Sequence, residues 1–177
     1  MAIYMWREQT APTLPYTETI SSINNGDTYT INVNATWLTK ISIVYDATCA
    51  NGLQWAVGFT MDNWTTVLTN SVASRSSSTN YGMWDQVIDK SGWGFTRITN
   101  WNARDGSVSY PSSWTTAQHT FELTPTSVKQ KWNGYYDKTT SYDFSTFFNW
   151  DNSNLTITIV NSSTYTQSNI IVALYNT

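Results

Sequence analysis

Apolar and polar residues alternate with a period of two along most of the chain after Gly26. Between residues 27 and 34, Tyr29, Ile31 and Val33 fall on one face of an extended strand. Segments 38–46 and 53–60 repeat this alternation, with Ile41, Ile43, Tyr45 and with Leu53, Trp55, Val57, Phe59 on their apolar faces. This pattern predicts antiparallel β-strands that are buried on one side.

Turn signals separate further short strands at intervals of roughly 8–12 residues. The predicted strands lie at 81–88, 92–99, 107–110, 118–124, 127–132, 144–148, 155–160 and 170–175. Asn51-Gly52, Pro125-Thr126 and Asn133-Gly134 are predicted turns, and the Ser-rich segment 71–80 is a predicted loop. The last strand is apolar on both faces, so we expect it in mid-sheet, with 29–33 as its neighbour. The spacing predicts an all-β fold, an antiparallel β-sandwich of the jelly-roll kind.

The first 22 residues differ from this pattern, because Pro12 and Pro15 interrupt any regular element there. We therefore predict an extended N-terminal arm over residues 1–22, followed by a single β-sandwich domain over 23–177. The arm either frays or docks on a neighbouring subunit through its apolar residues. The candidate subunit contacts are Met5, Trp6 and Tyr16.

Composition narrows the possible partners. The net charge is −3 with nine Lys and Arg residues, which argues against nucleic acid as a partner. No apolar run approaches the roughly 18 residues that span a bilayer, so we expect no membrane span. The single cysteine, Cys49, excludes an intrachain disulfide. The first eight residues lack the basic and apolar pattern of a secretory signal, so we expect synthesis in a cytoplasm.

Residues 114–134, which read WTTAQHTFELTPTSVKQKWNG, resemble a segment of concanavalin A-like (laminin G-like) jelly rolls. In that family a Trp-His pair opens a strand of the form H-x-F-x-L, and a second strand ends in an aromatic residue and a Gly. The matching positions are His119, Phe121, Leu123, Val128, Trp132 and Gly134. The chain departs from the pattern because four residues separate its Trp and His.

Domains of this family are commonly found as glycan-binding lectins and as modules of phage structural proteins. The resemblance implies a function of one of these kinds. The opening MAIYMWRE and the body rich in Thr, Asn and Ser are also similar to proteins of phage particles. On this resemblance we expect the protein in a virion, made in the host cytoplasm.

The residues that could support catalysis are few. Glycoside hydrolysis needs two carboxylates, and the E-x-D-x-x-E strand of concanavalin-like glycosidases is absent from the sequence. Glu122 shares a face with Thr120 and Thr124, which indicates the solvent side of a strand. His119 shares a face with Phe121 and Leu123, which favours a packed, hydrogen-bonded core histidine over a catalytic one. We therefore expect a protein that is not an enzyme.

We expect no cofactor. The segment Asp151-Asn152-Ser153-Asn154 offers several oxygen ligands, so Ca²⁺ is the alternative there. Asx-rich turns of this kind are more often simply turns.

Several tryptophans lie beside Asn, Asp or Ser in predicted loops, where they could pack over a loop, stack on a sugar or contact a subunit. Neighbouring amide and carboxylate groups could hold sugar hydroxyls. The candidate glycan-binding residues are Trp64, Trp101, Trp114, Trp150, Asn102 and Asp151.

These observations lead to three hypotheses. The first is a non-enzymatic phage structural subunit that forms homo-oligomers, and contacts other virion proteins, through its arm and aromatic loops. The alternative is a carbohydrate-binding, lectin-like module for receptor or glycan recognition. A pore-forming β-sandwich toxin is less favoured, because the arm is neither helical nor basic.

Overall fold

The computed structural model describes residues 13–48, 52–64, 66–77, 80–102, 116–134, 136–149, 152–161 and 167–177. All regular elements in these ranges are β-strands. None of the described segments forms a helix of the length and apolarity that crossing a membrane requires. The strands are β1 (Tyr16–Ile23), β2 (Thr28–Val33), β3 (Lys40–Thr48), β4 (Gly52–Asp62), β5 (Val67–Ser77), β6 (Asn80–Asp89), β7 (Thr96–Asn102), β8 (Thr116–Thr124), β9 (Ser127–Trp132), β10 (Tyr136–Ser141), β11 (Leu155–Asn161) and β12 (Gln167–Tyr175).

The strands form two six-stranded antiparallel sheets. The first sheet has the order β1-β12-β3-β8-β9-β10, and the second has the order β2-β11-β4-β5-β6-β7. Aromatic rings from the two sheets meet in the core, where the centroids of Tyr45 on β3 and Phe59 on β4 are 5.4 Å apart. The predicted antiparallel β-sandwich is confirmed.

Where the strands are apolar, the alternation with a period of two predicted correctly which face of the strand is buried. Ile41, Ile43 and Tyr45 are all fully buried. The last strand, β12, lies in mid-sheet as expected, but its neighbours are β1 and β3 rather than β2. Strand β2 belongs to the other sheet, where it pairs with β11. That sequence prediction was wrong because strand alternation specifies a face and carries no information on the partner strand.

Residues 16–22, assigned to the arm from the sequence, form most of the edge strand β1, which pairs with β12. The period of two is hidden there because buried Ile20 and Ile23 are three residues apart. A side-chain bridge joins this edge to the opposite sheet. The hydroxyls of Tyr16 and of Tyr29 on β2 donate to the two oxygens of Glu18, at 2.6 and 2.7 Å.

Three other predictions differ from the structure. The Ser-rich segment 71–80 is not a loop, because the β5–β6 hairpin continues to the pair Ser77 and Asn80. Backbone hydrogen bonds form this ladder, so it needs no apolar side chains. Residues 144–148 are a turn rather than a strand, in which the Phe144 carbonyl accepts from the backbone N–H of Phe147. The polar strand β10 was not predicted, because its sequence YDKTTS has no alternation.

Candidate functional site

Four connections of the sandwich meet at one end of the molecule. They join β2 to β3, β4 to β5, β6 to β7 and β10 to β11. Short hydrogen bonds link them: Ala35 N–H donates to the Asn152 carbonyl at 2.7 Å, and the Asn63 amide donates to the Asn152 side-chain oxygen at 2.8 Å. Val67 N–H donates to the Ser91 hydroxyl at 3.0 Å. The four connections therefore form one continuous surface.

Large apolar side chains are concentrated on this surface. Trp37 is 65% exposed, Trp64 is 84% exposed and Trp93 is fully exposed. Phe95 and Tyr142 are exposed as well. We call this surface, defined by these five residues, the aromatic end. Burying such a side chain stabilises a protein by about 1.5–3 kcal/mol, so several exposed rings at one place indicate a contact surface for a partner.

Two of the exposed tryptophans have unfavourable backbone conformations. Trp37 has a φ of 64° and Trp64 a φ of 73°, in the left-handed region that bulky residues avoid. Side-chain acceptors hold both turns, since Asn34 Oδ1 accepts from Thr36 N–H at 3.1 Å and Asp62 Oδ1 accepts from Trp64 N–H at 2.8 Å. Strained residues on ordered turns are typical of binding surfaces.

A buried pair of amides supports these loops from below. The side chains of Asn63 and Asn152 both donate to the Phe147 carbonyl, at 3.0 and 2.7 Å. Asn63 Oδ1 accepts from the backbone N–H of Thr66 at 2.8 Å. The Asn152 side-chain oxygen, a ligand in the calcium alternative, therefore already has a donor, and Asp151 lies outside the described residues. The described ranges contain no group of three or more side chains suited to holding a metal.

Aspartates are interspersed with the exposed rings. Asp62, Asp89 and Asp143 each accept, through one side-chain oxygen, a hydrogen bond of 2.8–2.9 Å from the backbone N–H two residues later. The hydroxyl and backbone N–H of Ser145 lower the pKa of Asp143, so this carboxylate is ionised at neutral pH. Each aspartate thus holds its own loop in place.

A small cleft lies among these groups. Its volume is about 180 Å³, and Asp89, Ser91, Tyr142 and Asp143 are among its lining residues. A second depression, of about 280 Å³, follows residues 89–96 around Trp93. Both are smaller than the roughly 300–1,000 Å³ pockets that enclose drug-sized ligands. They suit a single ring, or a chain lying across the surface.

The outer face of the second sheet is a different kind of surface. One row across it consists of Thr30, Thr158, Thr60, Thr69, Ile88 and Arg97, which are paired in register. Among the side chains described on this face, none is aromatic. The exposed rings of Trp37, Trp64 and Trp93 make the aromatic end the candidate site.

His119 has a fully buried polar environment. Its Nε2 lies 2.7 Å from Oδ2 of Asp85 on β6, and neither residue is exposed. Asp85 also accepts hydrogen bonds from Asn70, Gln130 and Tyr136. We call these five residues the inter-sheet cluster, because they join β5 and β6 of one sheet to β8, β9 and β10 of the other.

The inter-sheet cluster has acid–base groups, but its histidine and its aspartate have no access to solvent. Burial, and then the negative charge of Asp85, raise the pKa of Tyr45 and of Tyr136 well above the usual value. A general acid or base must reach a proton on its substrate, and fully buried His119 and Asp85 do not meet that requirement. The predicted core histidine with a hydrogen-bond partner is confirmed.

The structure places the candidate residues that were predicted from the sequence in different parts of the molecule. Trp64 is exposed at the aromatic end. Trp101 and Asn102 lie in β7, not in a loop, and the register places Trp101 opposite Asp85. Tyr16 lies in β1, and its ring packs against the core of its own chain. The remaining candidates lie outside the described residues: Met5, Trp6, Trp114, Trp150 and Asp151.

Sequence reasoning missed Trp93 and Phe95, because 92–99 was predicted as a strand. The signal was present in Gly92-Trp93-Gly94, where Gly94 has a φ of 132° that favours glycine. Asp85 was missed as well. A lone aspartate within an apolar strand is a signal for a buried polar partner, and His119 is the single histidine of the chain.

The fold is similar to that of several solved structures. No protein-family model and no curated protein matches the sequence. The structure is similar to the CBM2 module of the evolved Dit protein of Lactobacillus casei BL23 phage J-1, with a TM-score of 0.56, 6% identity, and coverage of 89% of this chain and 76% of that one. It is also similar to a tetrameric galectin from Cinachyrella sp., a ball sponge, with a TM-score of 0.50, 15% identity, and coverage of 84% and 100%.

Galectins and carbohydrate-binding modules recur among the similar structures, alongside enzymes. An alginate lyase, A1-II′ of polysaccharide lyase family 7, has a TM-score of 0.46 at 15% identity, over 81% of this chain and 62% of that one. On its similarity to the phage module and the sponge galectin, the chain has a galectin-like and concanavalin A-like β-sandwich fold, as its H-x-F-x-L segment indicated. At these identities the similarity establishes the fold and not the ligand.

Proposed function

We propose that the protein is a non-catalytic carbohydrate-binding module and that the aromatic end is its glycan-binding surface. The observation that carries the proposal is the grouping of Trp37, Trp64 and Trp93, all exposed, on three of the four linked loops. The names of the similar proteins, a CBM2 module and a galectin, support the same class of ligand.

The chemistry of the surface fits a sugar. A pyranose has an apolar face of C–H groups that packs on the flat face of an indole ring, while its rim of hydroxyls needs hydrogen-bond partners. Asp62, Asp89 and Asp143 each accept hydrogen bonds from their own loop, and no described residue outside that loop donates to them. Rings and acceptors thus alternate on one surface.

A lipid bilayer is a less suitable partner for the same rings. Inserting the loops into an interface would dehydrate the carboxylates beside Trp64 and Trp93, and removing a charge from water is costly. Anionic lipid would also be repelled by them. Binding to neutral or anionic vesicles is therefore an outcome that would contradict the proposal.

Glycan-array screening tests the proposal, followed by calorimetry with the strongest binder. We expect Trp64→Ala and Trp93→Ala each to weaken binding at least about tenfold, as expected for central contacts. Thr60→Lys and Thr158→Lys, which place bulky charges on the outer face of the second sheet, should leave binding unchanged. Loss of binding in the lysine variants alone would move the site to the sheet face and contradict our assignment.

A second candidate is a component of a phage particle, made in the host cytoplasm. The similarity to a module of a phage Dit protein favours it. A module on a virion could bind glycans of the host surface, so both functions are compatible. In this hypothesis residues such as Met5 and Trp6 dock on other subunits and hold a homo-oligomer together.

Deleting residues 1–12 tests the docking hypothesis without removing β1, which begins at Tyr16. We expect the full chain to form oligomers and the shortened chain to be a folded monomer, as measured by light scattering and circular dichroism. An oligomer that survives the deletion would contradict docking through this segment.

A further inference from the structure

The aromatic end contains charged side chains as well as aromatic rings. In the described parts of its four connections and at their strand ends there are three carboxylates, Asp62, Asp89 and Asp143, and two ammonium groups, Lys40 and Lys90. Lys40 on β3 lies 3.6 Å from Glu122, so its charge is partly compensated. No described residue that lines the cleft or the adjoining depression is basic, so a ligand there meets the negative charge of the aspartates.

The cleft concentrates that negative charge. Asp89 and Asp143 both line it, and Asp89 also lines the adjoining depression around Trp93. A sugar that stacks on Trp93 and reaches into the cleft would thus come close to two carboxylates. Hydroxyl groups of a sugar can donate hydrogen bonds to these carboxylate oxygens, whereas a carboxylate or sulfate of the ligand would be repelled by them.

We propose that the aromatic end selects glycans without anionic groups and rejects those that carry uronic acid, sialic acid or sulfate. This inference rests on the proposed glycan-binding function and adds its specificity. The groups responsible are Asp89 and Asp143, with Asp62 beside Trp64 as a weaker contributor outside the cleft.

Matched pairs of oligosaccharides test the inference. Suitable pairs are lactosamine with 3′-sialyllactosamine, mannotetraose with the mannuronic acid tetramer, and cellotetraose with its uronic acid counterpart. We expect the neutral member of any pair that binds to bind at least about fivefold more tightly at low salt, since two like charges act at short range. The preference should shrink as salt is added, because Asp143 is exposed and Asp89 is only partly buried.

Variants that each remove one negative charge test which carboxylates cause the preference for neutral glycans. Asp89→Asn and Asp143→Asn keep a side-chain oxygen for the backbone N–H two residues later, so the loops should retain their turns. Each should lower the ratio of neutral to anionic affinity about twofold. Asp27→Asn is the control, because it removes the same charge from the β1–β2 turn at the opposite end of the sandwich.

The outcomes separate the two proposals. An anionic member that binds as tightly as its neutral partner, with loss of binding in Trp93→Ala, would overturn the charge selection and leave the glycan-binding function intact. A ratio that is insensitive to Asp89→Asn and Asp143→Asn would overturn it as well. If no member of any pair and no glycan on the array binds, the proposed function fails and the selectivity with it.

Discussion

The aromatic end and the inter-sheet cluster are built from similar residues with opposite surroundings. In the inter-sheet cluster one carboxylate, Asp85, accepts hydrogen bonds from four side chains and none of it is exposed. At the aromatic end each aspartate accepts hydrogen bonds from its own loop, and none of the three is fully buried. Trp132 beside His119 is buried, whereas Trp93 is fully exposed.

The comparison shows that similar residues stabilise the fold in the inter-sheet cluster and remain available to a partner at the aromatic end. A polar group whose hydrogen-bond partners are all buried joins the two sheets. It has few hydrogen-bonding atoms available to a ligand. Exposed rings and carboxylates contribute little to folding and retain their capacity for a partner. Residue type alone would assign the histidine and its aspartate to a catalytic site, and burial argues against that assignment.

The strongest test of the contrast is the loss of the Asp85 carboxylate. We expect Asp85→Ala to lower the free energy of unfolding by about 3–5 kcal/mol, because it leaves His119 and the other donors buried without their acceptor. Urea denaturation measures the change. Asp137→Ala is the control, since that half-exposed carboxylate lies 3.5 Å from Lys131 and should cost below about 1 kcal/mol. Equal costs for the two variants would contradict the assigned role of the cluster.

The same substitution at two tryptophans should have unequal effects on stability. Trp132→Ala removes a buried side chain and should cost about 3–5 kcal/mol of unfolding free energy. Trp93→Ala removes an exposed ring and should change it by less than about 0.5 kcal/mol. Thermal and urea unfolding of the two variants make the comparison. A large cost at Trp93 would mean that its ring supports the fold and would weaken the binding assignment.

Backbone strain at Trp64 gives a smaller effect. Because its φ is positive, Trp64→Gly should be more stable than Trp64→Ala by about 1 kcal/mol. Trp93, whose φ is not positive, is the matched control, and there glycine should be no more stable than alanine. If the two sites behave alike in urea denaturation, the strained turn at Trp64 is not a property of the folded protein.

The smallest expected effect concerns Glu18 at the β1 edge. Hydrogen bonds from Tyr16, then from Tyr29, lower the pKa of Glu18 below its ordinary value. A depressed folded pKa contributes stability above the unfolded pKa of about 4.3, and that stability is lost as pH falls through the folded value. Glu18→Gln should therefore be slightly less stable than the parent at pH 7 and should lose less stability between about pH 4.3 and pH 3.

The comparison is made by urea denaturation at both pH values. Glu122→Gln is the control, because its carboxylate is part of an exposed ion pair with Lys40 and no tyrosine donates to it. Identical pH profiles for Glu18→Gln and the parent would contradict the tyrosine bridge.

Much of the fold was predictable because alternation is a local property. Strands β3, β8, β9 and β11 have mainly apolar residues at every second position, and each buries the face that the pattern indicated. The H-x-F-x-L segment placed His119, Phe121 and Leu123 together in the core. Polar strands such as β10 and the outer part of the β5–β6 hairpin were missed, because their pairing is specified by the backbone ladder of a neighbour.

The candidate site was predictable only in part. Trp64 was identified because an Asp and an Asn precede it in a loop, whereas Trp93 was read as part of a strand. No local pattern relates Trp37 to Trp64 or Trp93, since the three are far apart in the sequence. Their common surface depends on hydrogen bonds such as that between Ala35 and Asn152, which form when the strand ends come together.

Sequence pattern was thus sufficient for the class of fold and for the buried faces of its apolar strands, because both follow from the period of two between neighbouring residues. Strand partners, the Asp85–His119 pair and the grouping of exposed tryptophans followed from the folded structure. Each of these joins residues that are distant in the chain, and only the packing of two whole sheets determines which distant residues become neighbours.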